Sequence, residues 1–441
     1  MADPVVVVGG GLAAQRFVEE LRRRGLEAPI RMVCEEAEPP YDRPPLSKGV
    51  LLGTVDDREL PYRGEGWYAE NGVELLLGER AVGLEAAERR LLLGGGAPLR
   101  YSRLLIATGA SPLRLPFAAG LENVYELRTL ADARVLRDAL RDAERVAVIG
   151  AGFIGQEVAA AARALGLDVT LADALDAPLA PLLGDRVGGW LAELHRANGV
   201  ELALGSAVRS LTGSRRATEV VLENGRRIAC DAVVVGIGVR PATRWLAGTQ
   251  LAEPGGIRVD AVGRTSIPGV LAAGDVALRY DPRARCHRRT EHWESAVLEG
   301  RTAAAAMLGA EPPPPPPPAF WSDLHGVRVQ WVGDASGSDD LAIERGPGAR
   351  QLAARYLRAG HTVGALLAGR PGDLPAMRRE VGEGLAALAS SDAGAGSAGG
   401  VDPERTRPST TGRGDFVPAG ARTAPTEPSP REPSRDEGGP T

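Results

Sequence analysis

The chain has 441 residues, 44% of them hydrophobic and 25% charged, with a net charge of −5. That is an ordinary globular composition and more chain than one core fills, at about 100–200 residues per domain. The weak acidic balance argues against a nucleic-acid or membrane-surface partner, and no apolar run approaches the roughly 20 residues that a membrane helix needs.

Val5–Val8 is a short apolar run of the kind buried on both faces of a parallel sheet. It begins so close to the N-terminus that no signal peptide is expected. Gly9-Gly10-Gly11 follows, then a helical segment from Leu12 to Arg24 and a second strand near Ile30–Cys34, which completes a βαβ unit. In this unit Gly9 permits the tight turn, Gly11 lets backbone approach a pyrophosphate, and small Ala14 allows close helix–strand packing. The helix N-terminus offers unpaired N–H groups to phosphates. Glu35, at the end of the second strand, is placed to accept hydrogen bonds from an adenosine ribose. A lone glycine pattern would be weak. The whole strand–turn–helix–strand–acid unit specifies dinucleotide binding.

Lys48 is the only lysine among 52 basic residues. An arginine fork and a compact ammonium are not equivalent in a tight site, so a solitary lysine reads as functionally required. A chance survivor on a loop is the alternative. The three cysteines, Cys34, Cys230 and Cys286, are far apart, with no metal-ligand or C-x-x-C spacing. We read them as buried, inert thiols, which suits a cytoplasmic protein.

Strand-like runs continue at Val73–Leu77, Leu91–Leu93 and Arg103–Ala107. The βαβ pattern then repeats: strand Arg145–Ile149, turn Gly150-Ala151-Gly152, helix to about Leu165, strand Asp168–Ala172. Gly150, Gly152 and Gly155 form the second glycine motif, and Asp173 ends its second strand. A carboxylate there suits a free 2′-hydroxyl and repels a 2′-phosphate, and no arginine lies in residues 174–178. NADH is therefore favoured over NADPH, unless Asp173 merely starts a surface turn. Glu219–Leu222, Ala232–Val235 and Val270–Ala273 are further strands, the last ending in Gly274-Asp275, and an alanine-rich helix runs from about Glu294 to Met307. Pro312–Pro318 should be a stiff extended connector. Phe320–Val332 resumes strand-like alternation and Asp373–Leu388 reads as a closing helix. Ser391–Thr441 has few apolar residues and is expected to be disordered, its Arg413-Gly414-Asp415 triplet being a chance match.

With these motifs the chain resembles the pyridine-nucleotide flavin oxidoreductases of glutathione-reductase-like fold, and within them the ferredoxin reductases that serve oxygenase systems. Apoptosis-inducing-factor-like proteins are relatives of these. The matching strings are Tyr41-Asp42-Arg43-Pro44-Pro45-Leu46-Ser47-Lys48, Ala107-Thr108-Gly109, Leu127-Arg128-Thr129 and Gly150-Ala151-Gly152-Phe153-Ile154-Gly155-Gln156-Glu157. Ala273-Gly274-Asp275, Glu291-His292-Trp293 and Phe320-Trp321-Ser322-Asp323 complete the set. The likeness covers roughly residues 4–335 and continues more faintly to about 388. It implies an α/β fold with two Rossmann-like dinucleotide-binding domains, one for FAD and one for NAD, a small α+β C-terminal domain and a disordered tail. The limits drawn are 1–110 and 238–311 for the FAD domain and 111–237 for the NAD domain. They are followed by a proline linker at 312–319, a C-terminal reductase domain at 320–390 and the tail at 391–441.

The resemblance also implies roles. Asp275 would bind the FAD ribitol, although a turn aspartate after glycine looks the same. Trp293, just before a helix, would line the flavin ring, and Trp321 would pack near it unless it is an ordinary core tryptophan. Lys48 would sit by the reactive ring nitrogen, paired with Glu157 from the NAD domain. Glu157 lies in a helical first turn, where any carboxylate is mildly favoured. The remaining implied cofactor contacts are Ala13, Arg43, Val82, Ala107, Thr108, Gly109, Arg128, Phe153, Ile154, Gly238 and Gly274.

Disulfide reductases of this fold carry a cysteine pair near the flavin, and residues 41–48 contain no cysteine. No iron–sulfur or haem motif is present either, so the acceptor is expected on another molecule. The resulting expectation is an NADH:ferredoxin oxidoreductase, as a monomer or homodimer, handing single electrons to a [2Fe–2S] ferredoxin. Arg279, Arg283, Arg285, Arg288 and Arg289 could form part of a docking surface, or simply a solvated loop. A reductase of rubredoxin or of a small acceptor such as oxygen, a quinone or monodehydroascorbate is one alternative. A flavin redox sensor that recruits a partner through its tail is another.

Overall fold

The computed structural model describes residues 3–251, 253–312, 315–346 and 350–395. Val5–Val8 lies at the centre of a five-stranded sheet and is paired in parallel with Ile30–Cys34 on one side and Arg103–Ile106 on the other. Val73–Leu77 and Val270–Ala272 close its two edges, also in parallel. The second βαβ unit builds the same plan. Arg145–Ile149 is central, Asp168–Ala172 and Val200–Ala203 lie to one side, and Ala232–Val235 and Val124–Tyr125 lie to the other. The internal repeat seen in the sequence is thus a repeat of sheet order. All four residues of Val5–Val8 and of Ala232–Val235 are buried, as expected where helices cover both faces of a parallel sheet.

The chain leaves the first sheet through Ala110–Pro112 and returns through Val239–Pro241, and these two crossings pair antiparallel. They tether the two nucleotide folds side by side. Helix Leu12–Arg23 packs along helix Trp293–Met307, and Phe17, Val18 and Leu21 are fully buried between helix and sheet. Each such side chain contributes about 1.5–3 kcal/mol.

The C-terminal part is a five-stranded antiparallel sheet in the order Ala319–Leu324, Val327–Gly333, His361–Ala368, Leu352–Arg358, Asp340–Arg345. Helix Leu374–Ala395 covers one face through Met377 and Val381. The other face packs on Leu183, Val187, Trp190 and Leu194 of helix Ala180–Ala197. That helix brings the C-terminal sheet against the second nucleotide fold, and the sequence patterns did not reveal it. A kink follows its first turn at Gly184, whose φ of 73° breaks the helical path.

Several sequence-based expectations change. The run Phe320–Val332 is a hairpin, because His325 and Gly326 have φ of 52° and 75° and so form a two-residue turn. The closing helix continues to Ala395, so residues 391–395 are not part of a structureless tail. Residues 396–441, with Arg413-Gly414-Asp415, lie outside the described residues, as do two prolines of the 312–318 run. Cys34 and Cys230 are buried, but Cys286 is only half-buried. Burial pushes the Cys34 thiol up to about 12 and the Cys230 thiol up to about 11, so both are held as inert thiols. Among the described residues no helix is long and apolar enough to cross a membrane.

Candidate functional site

Where the two nucleotide folds and the C-terminal sheet meet, an open cleft is lined from all three. The first glycine turn forms one wall. Gly9 has φ of +119°, and a Cβ there would lie 2.2 Å from the Ala107 carbonyl oxygen, so only glycine permits the approach of the two strands. Two residues on, a Cβ at Gly11 would meet nothing within 4 Å. Gly11, Leu12 and Ala13 therefore present the open N-terminus of helix Leu12–Arg23 to the cleft.

Lys48 and Glu157 meet at the base of the cleft, with Nζ 2.7 Å from Oε2. Lys48 also donates to the Pro44 carbonyl at 3.1 Å. Glu157 is 5% exposed, and a carboxylate that deep must have its oxygens satisfied. Ser47 Oγ donates to Oε2 at 2.5 Å and Ser322 Oγ donates to Oε1 at 2.7 Å. The pair is thus a knot tying all three parts of the chain. Neither serine was singled out from the sequence, although both stand in the strings Leu46-Ser47-Lys48 and Trp321-Ser322-Asp323. Strand alternation buries Phe320 and Ser322 and leaves Trp321 facing the cleft.

Two more cations border the cleft. Arg128 is ion-paired to Asp275 at 2.9 Å. Arg43 donates to the Arg128 carbonyl at 2.5 Å and pairs with Glu36 at 2.6 Å. The aromatic wall comes from Trp293 and Trp321, edge to face with ring centroids 5.6 Å apart. Trp293 is the first residue of its helix rather than the residue before it, and its indole N–H donates to Asp42 at 2.8 Å. Phe153 and Phe320 (4.6 Å) close the side nearest the second glycine turn, next to His292. Burial pushes His292 down to about 4, so its ring is neutral at physiological pH.

These residues fit FAD. A helix N-terminus with room above Gly11 and a nearby arginine suits a pyrophosphate, and a wide apolar wall suits a flat ring system. Of the expected contacts, Gly11, Ala13, Arg43, Lys48, Ala107, Gly109 and Arg128 line the cleft, together with Phe153, Ile154, Glu157, Gly274, Asp275, Trp293 and Trp321. Gly9 and Ala14 shape the turn from beneath it.

Others stand elsewhere. Glu35 falls beyond the strand end at Cys34, where its exposed side chain lies 3.4 Å from Arg80. Glu36, its neighbour, turns inward and takes the Arg43 and Tyr41 contacts instead. Val82 is 48% exposed on the strand Ala81–Glu85, away from the cleft. Thr108 Oγ1 donates to the Ala242 carbonyl at 3.0 Å, and the Gly238 carbonyl accepts from Leu113 N at 2.9 Å. Both therefore serve the crossing between the nucleotide folds. Of the arginine row, Arg279 binds the Ala261 carbonyl, Arg288 binds Asp334 and Arg289 binds Glu291. Arg283 binds the Pro315 carbonyl, and Arg285 occupies a left-handed turn at φ 53°. Arg283 and Arg285 are the exposed members of the row.

The second glycine turn lies behind Phe153. Gly150 has φ of +104° and Gly152 caps the helix Phe153–Ala164. A Cβ on Gly155 would lie 1.8 Å from the Gly150 carbonyl oxygen. Gly155→Ala is expected to cost about 1–3 kcal/mol of stability through this overpacking, measured by denaturant unfolding; an unshifted midpoint would contradict it. Asp173 is buried rather than at a surface turn. Its carboxylate accepts from Ala151 N at 2.5 Å and from Leu175 N at 2.9 Å. It therefore braces the glycine turn in addition to standing at the strand end.

Comparison with known proteins agrees with this layout. The family model described as pyridine nucleotide-disulphide oxidoreductase matches residues 3–300, and a reductase C-terminal model matches residues 319–395. The chain is 38% identical over 346 residues to the biphenyl dioxygenase system ferredoxin–NAD(+) reductase component of Paraburkholderia xenovorans (strain LB400), covering 78% of this chain and 84% of that one. It is also 38% identical over 351 residues to the anthranilate 1,2-dioxygenase system ferredoxin–NAD(+) reductase component of Burkholderia cepacia, covering 79% and 86%. Among solved structures, the covalent putidaredoxin reductase–putidaredoxin complex superposes with a TM-score of 0.83 at 32% identity, over 86% of this chain and 93% of that one. The ferredoxin reductase for the CYP199A2 system from Rhodopseudomonas palustris gives a TM-score of 0.80 at 34% identity, over 84% and 92%.

Proposed function

The chain belongs to the pyridine nucleotide-disulphide oxidoreductase family, and from that premise we propose that it is the NADH:ferredoxin reductase component of an oxygenase system. The observation that carries this reading is the Lys48–Glu157 knot in a cleft lined by none of the three cysteines. With no thiol relay beside the ring, electrons go straight to an external carrier, a [2Fe–2S] ferredoxin.

FAD bound in the cleft supplies the exchange between a two-electron donor and a one-electron acceptor. The protein holds and tunes it. Gly11–Ala13 and Arg43 meet the pyrophosphate, Asp275 and Arg128 hold the ribitol side, and Trp293 and Trp321 flank the ring. Lys48 places a fixed ammonium where negative charge develops, which is electrostatic stabilisation without proton transfer. Ser47, Ser322 and Glu157 keep that ammonium in one position. Phe153, His292 and Phe320 keep water from the side that faces the second glycine turn. Gly150, Gly152 and Gly155 with Asp173 form the NADH site. We place the FAD domain at residues 1–110 and 238–311, the NAD domain at 111–237 and the C-terminal domain at 320–390, its closing helix running on to Ala395. A cytoplasmic location accompanies this reading, supported by the buried thiols of Cys34 and Cys230.

The test is stopped-flow reduction of the purified yellow protein by NADH and NADPH, followed by turnover with a panel of carriers. The expected result is faster bleaching by NADH and turnover that depends on added ferredoxin. Full-rate NADH oxidation with oxygen or a quinone alone would overturn the proposal in favour of a small-molecule reductase. Slow turnover with every acceptor would point to a redox sensor.

A further inference from the structure

Behind the second glycine turn runs a chain of polar side chains from three separate elements, buried at Gln156 and His195 and half-buried at His325. Gln156 lies on the helix Phe153–Ala164, His195 in the last turn of the helix Ala180–Ala197, and His325 on the hairpin of the C-terminal sheet. Gln156 Nε2 donates to the Ala151 carbonyl at 3.1 Å and faces the Gly152 carbonyl at 3.4 Å. The amide oxygen is then turned to His195 Nε2 at 3.2 Å. His195 Nδ1 in turn lies 3.0 Å from His325 Nε2.

These contacts have one consistent direction. An amide nitrogen is only a donor and an amide oxygen only an acceptor, so two carbonyls fix which end of Gln156 faces the glycine turn. Its oxygen then needs a proton on His195 Nε2, which leaves Nδ1 as an acceptor and requires His325 Nε2–H to donate. His195 must be neutral for this, because its Nδ1 has to accept. Burial, with His325 as neighbour, pushes His195 down to about 3. Burial, with the Arg350 and Arg163 guanidiniums, pushes His325 down to about 4. His195 is completely buried.

We propose that His325 is a positioning residue for the nicotinamide nucleotide. By locking the tautomer of His195 it locks the Gln156 amide, and so the carbonyl side of the Gly150–Gly152 turn, whose N–H side Asp173 already holds. A residue of the C-terminal domain thereby sets the shape of a dinucleotide turn in another domain. The proposal rests on the reading that this turn holds NADH.

The experiment combines ring 15N NMR of the five histidines with titration of the oxidised holoprotein by NAD+. In the unaltered protein His195 is expected as the Nε2–H tautomer, without titration between pH 5 and 8. His325→Asn keeps the left-handed turn, since asparagine tolerates positive φ, but its shorter side chain ends near the position of the ring Nδ1 and does not reach His195 as Nε2 does. Mixed His195 tautomers and a Kd for NAD+ raised about three- to tenfold are expected, the value of one net hydrogen bond. Gln156→Leu should raise the Kd by a similar factor, which keeps the test intact if His325→Asn folds poorly. An Nδ1–H tautomer in the unaltered protein, or an unchanged Kd in both variants, overturns the proposal. Gly152→Val separates the two readings: if it too leaves the Kd unchanged, it is the assignment of the site that fails.

Discussion

Lys48→Met slows NADH-dependent bleaching of the bound flavin about a hundredfold, while FAD content and fold are retained. The variant removes the one ammonium in the cleft and leaves Glu157, 5% exposed, with two hydroxyl donors and no cation. The potential near the ring becomes more negative, and reduction adds negative charge there. Loss of one preorganised electrostatic partner costs about 10²–10³ in rate. Lys48→Arg does not restore the rate, because the planar fork has to replace a compact ammonium held between the Pro44 carbonyl and Glu157. Rapid-mixing absorbance at saturating NADH measures both variants, and a Lys48→Met rate within threefold of the unaltered protein would refute the role. Chemistry offers an independent check. Lys48 is the only lysine, so amine acylation of the holoprotein reaches it and the α-amino group alone, and the loss of rate should track labelling of Lys48.

Glu299→Gln stabilises the protein by about 3 kcal/mol at pH 8 and by less than about 1 kcal/mol at pH 5. Glu299 is buried on the helix Trp293–Met307, where its carboxylate accepts from Gly274 N at 2.8 Å. Burial pushes it from 4.5 up to about 7, against the opposing pull of Arg279 and the Gly274 N–H. A carboxyl raised on folding contributes stability that is full below pH 4.5 and lost as pH rises through about 7. The interval from 4.5 to about 7, at about 1.4 kcal/mol per pH unit, gives the figure at pH 8. Glutamine keeps an acceptor for Gly274 N and never ionises. Urea unfolding of both holoproteins at the two pH values reads the difference. An equal gap at pH 5 and 8, or a variant weaker at pH 8, would refute it. Because Gly274 adjoins Asp275, the same carboxyl supports the ribitol side of the cleft.

Local sequence carried the two nucleotide folds far. Val5–Val8 with Gly9 to Ala14, and Arg145–Ile149 with Gly150 to Gly155, specify strand, turn and helix within about fifteen residues each, because the constraint is a local one of turn sterics and packing. The solitary Lys48 pointed to itself through composition alone. The Lys48–Glu157 pair needed the family resemblance, since no local pattern joins residues 109 apart in sequence. Glu35 and Glu36 could not be told apart locally: strand ends are uncertain by a residue or two, and one residue decides which acid is exposed and which turns inward.

The strands at 340–345, 352–358 and 361–368 left little trace in the sequence. Alanine and glycine dilute their alternation, and their register comes from neighbours in the sheet rather than from propensity.

The sequence by itself determined the two dinucleotide turns, their helices, and the lack of any cysteine pair that could relay electrons. Only the tertiary structure decided which side chains share a site. Ser47 and Ser322 join Glu157, His325 reaches Gln156 through His195, and Asp173 braces the turn whose motif it ends. The physical reason is common to all of them. A buried polar atom must find its partner wherever packing brings one, and packing is settled by the whole chain.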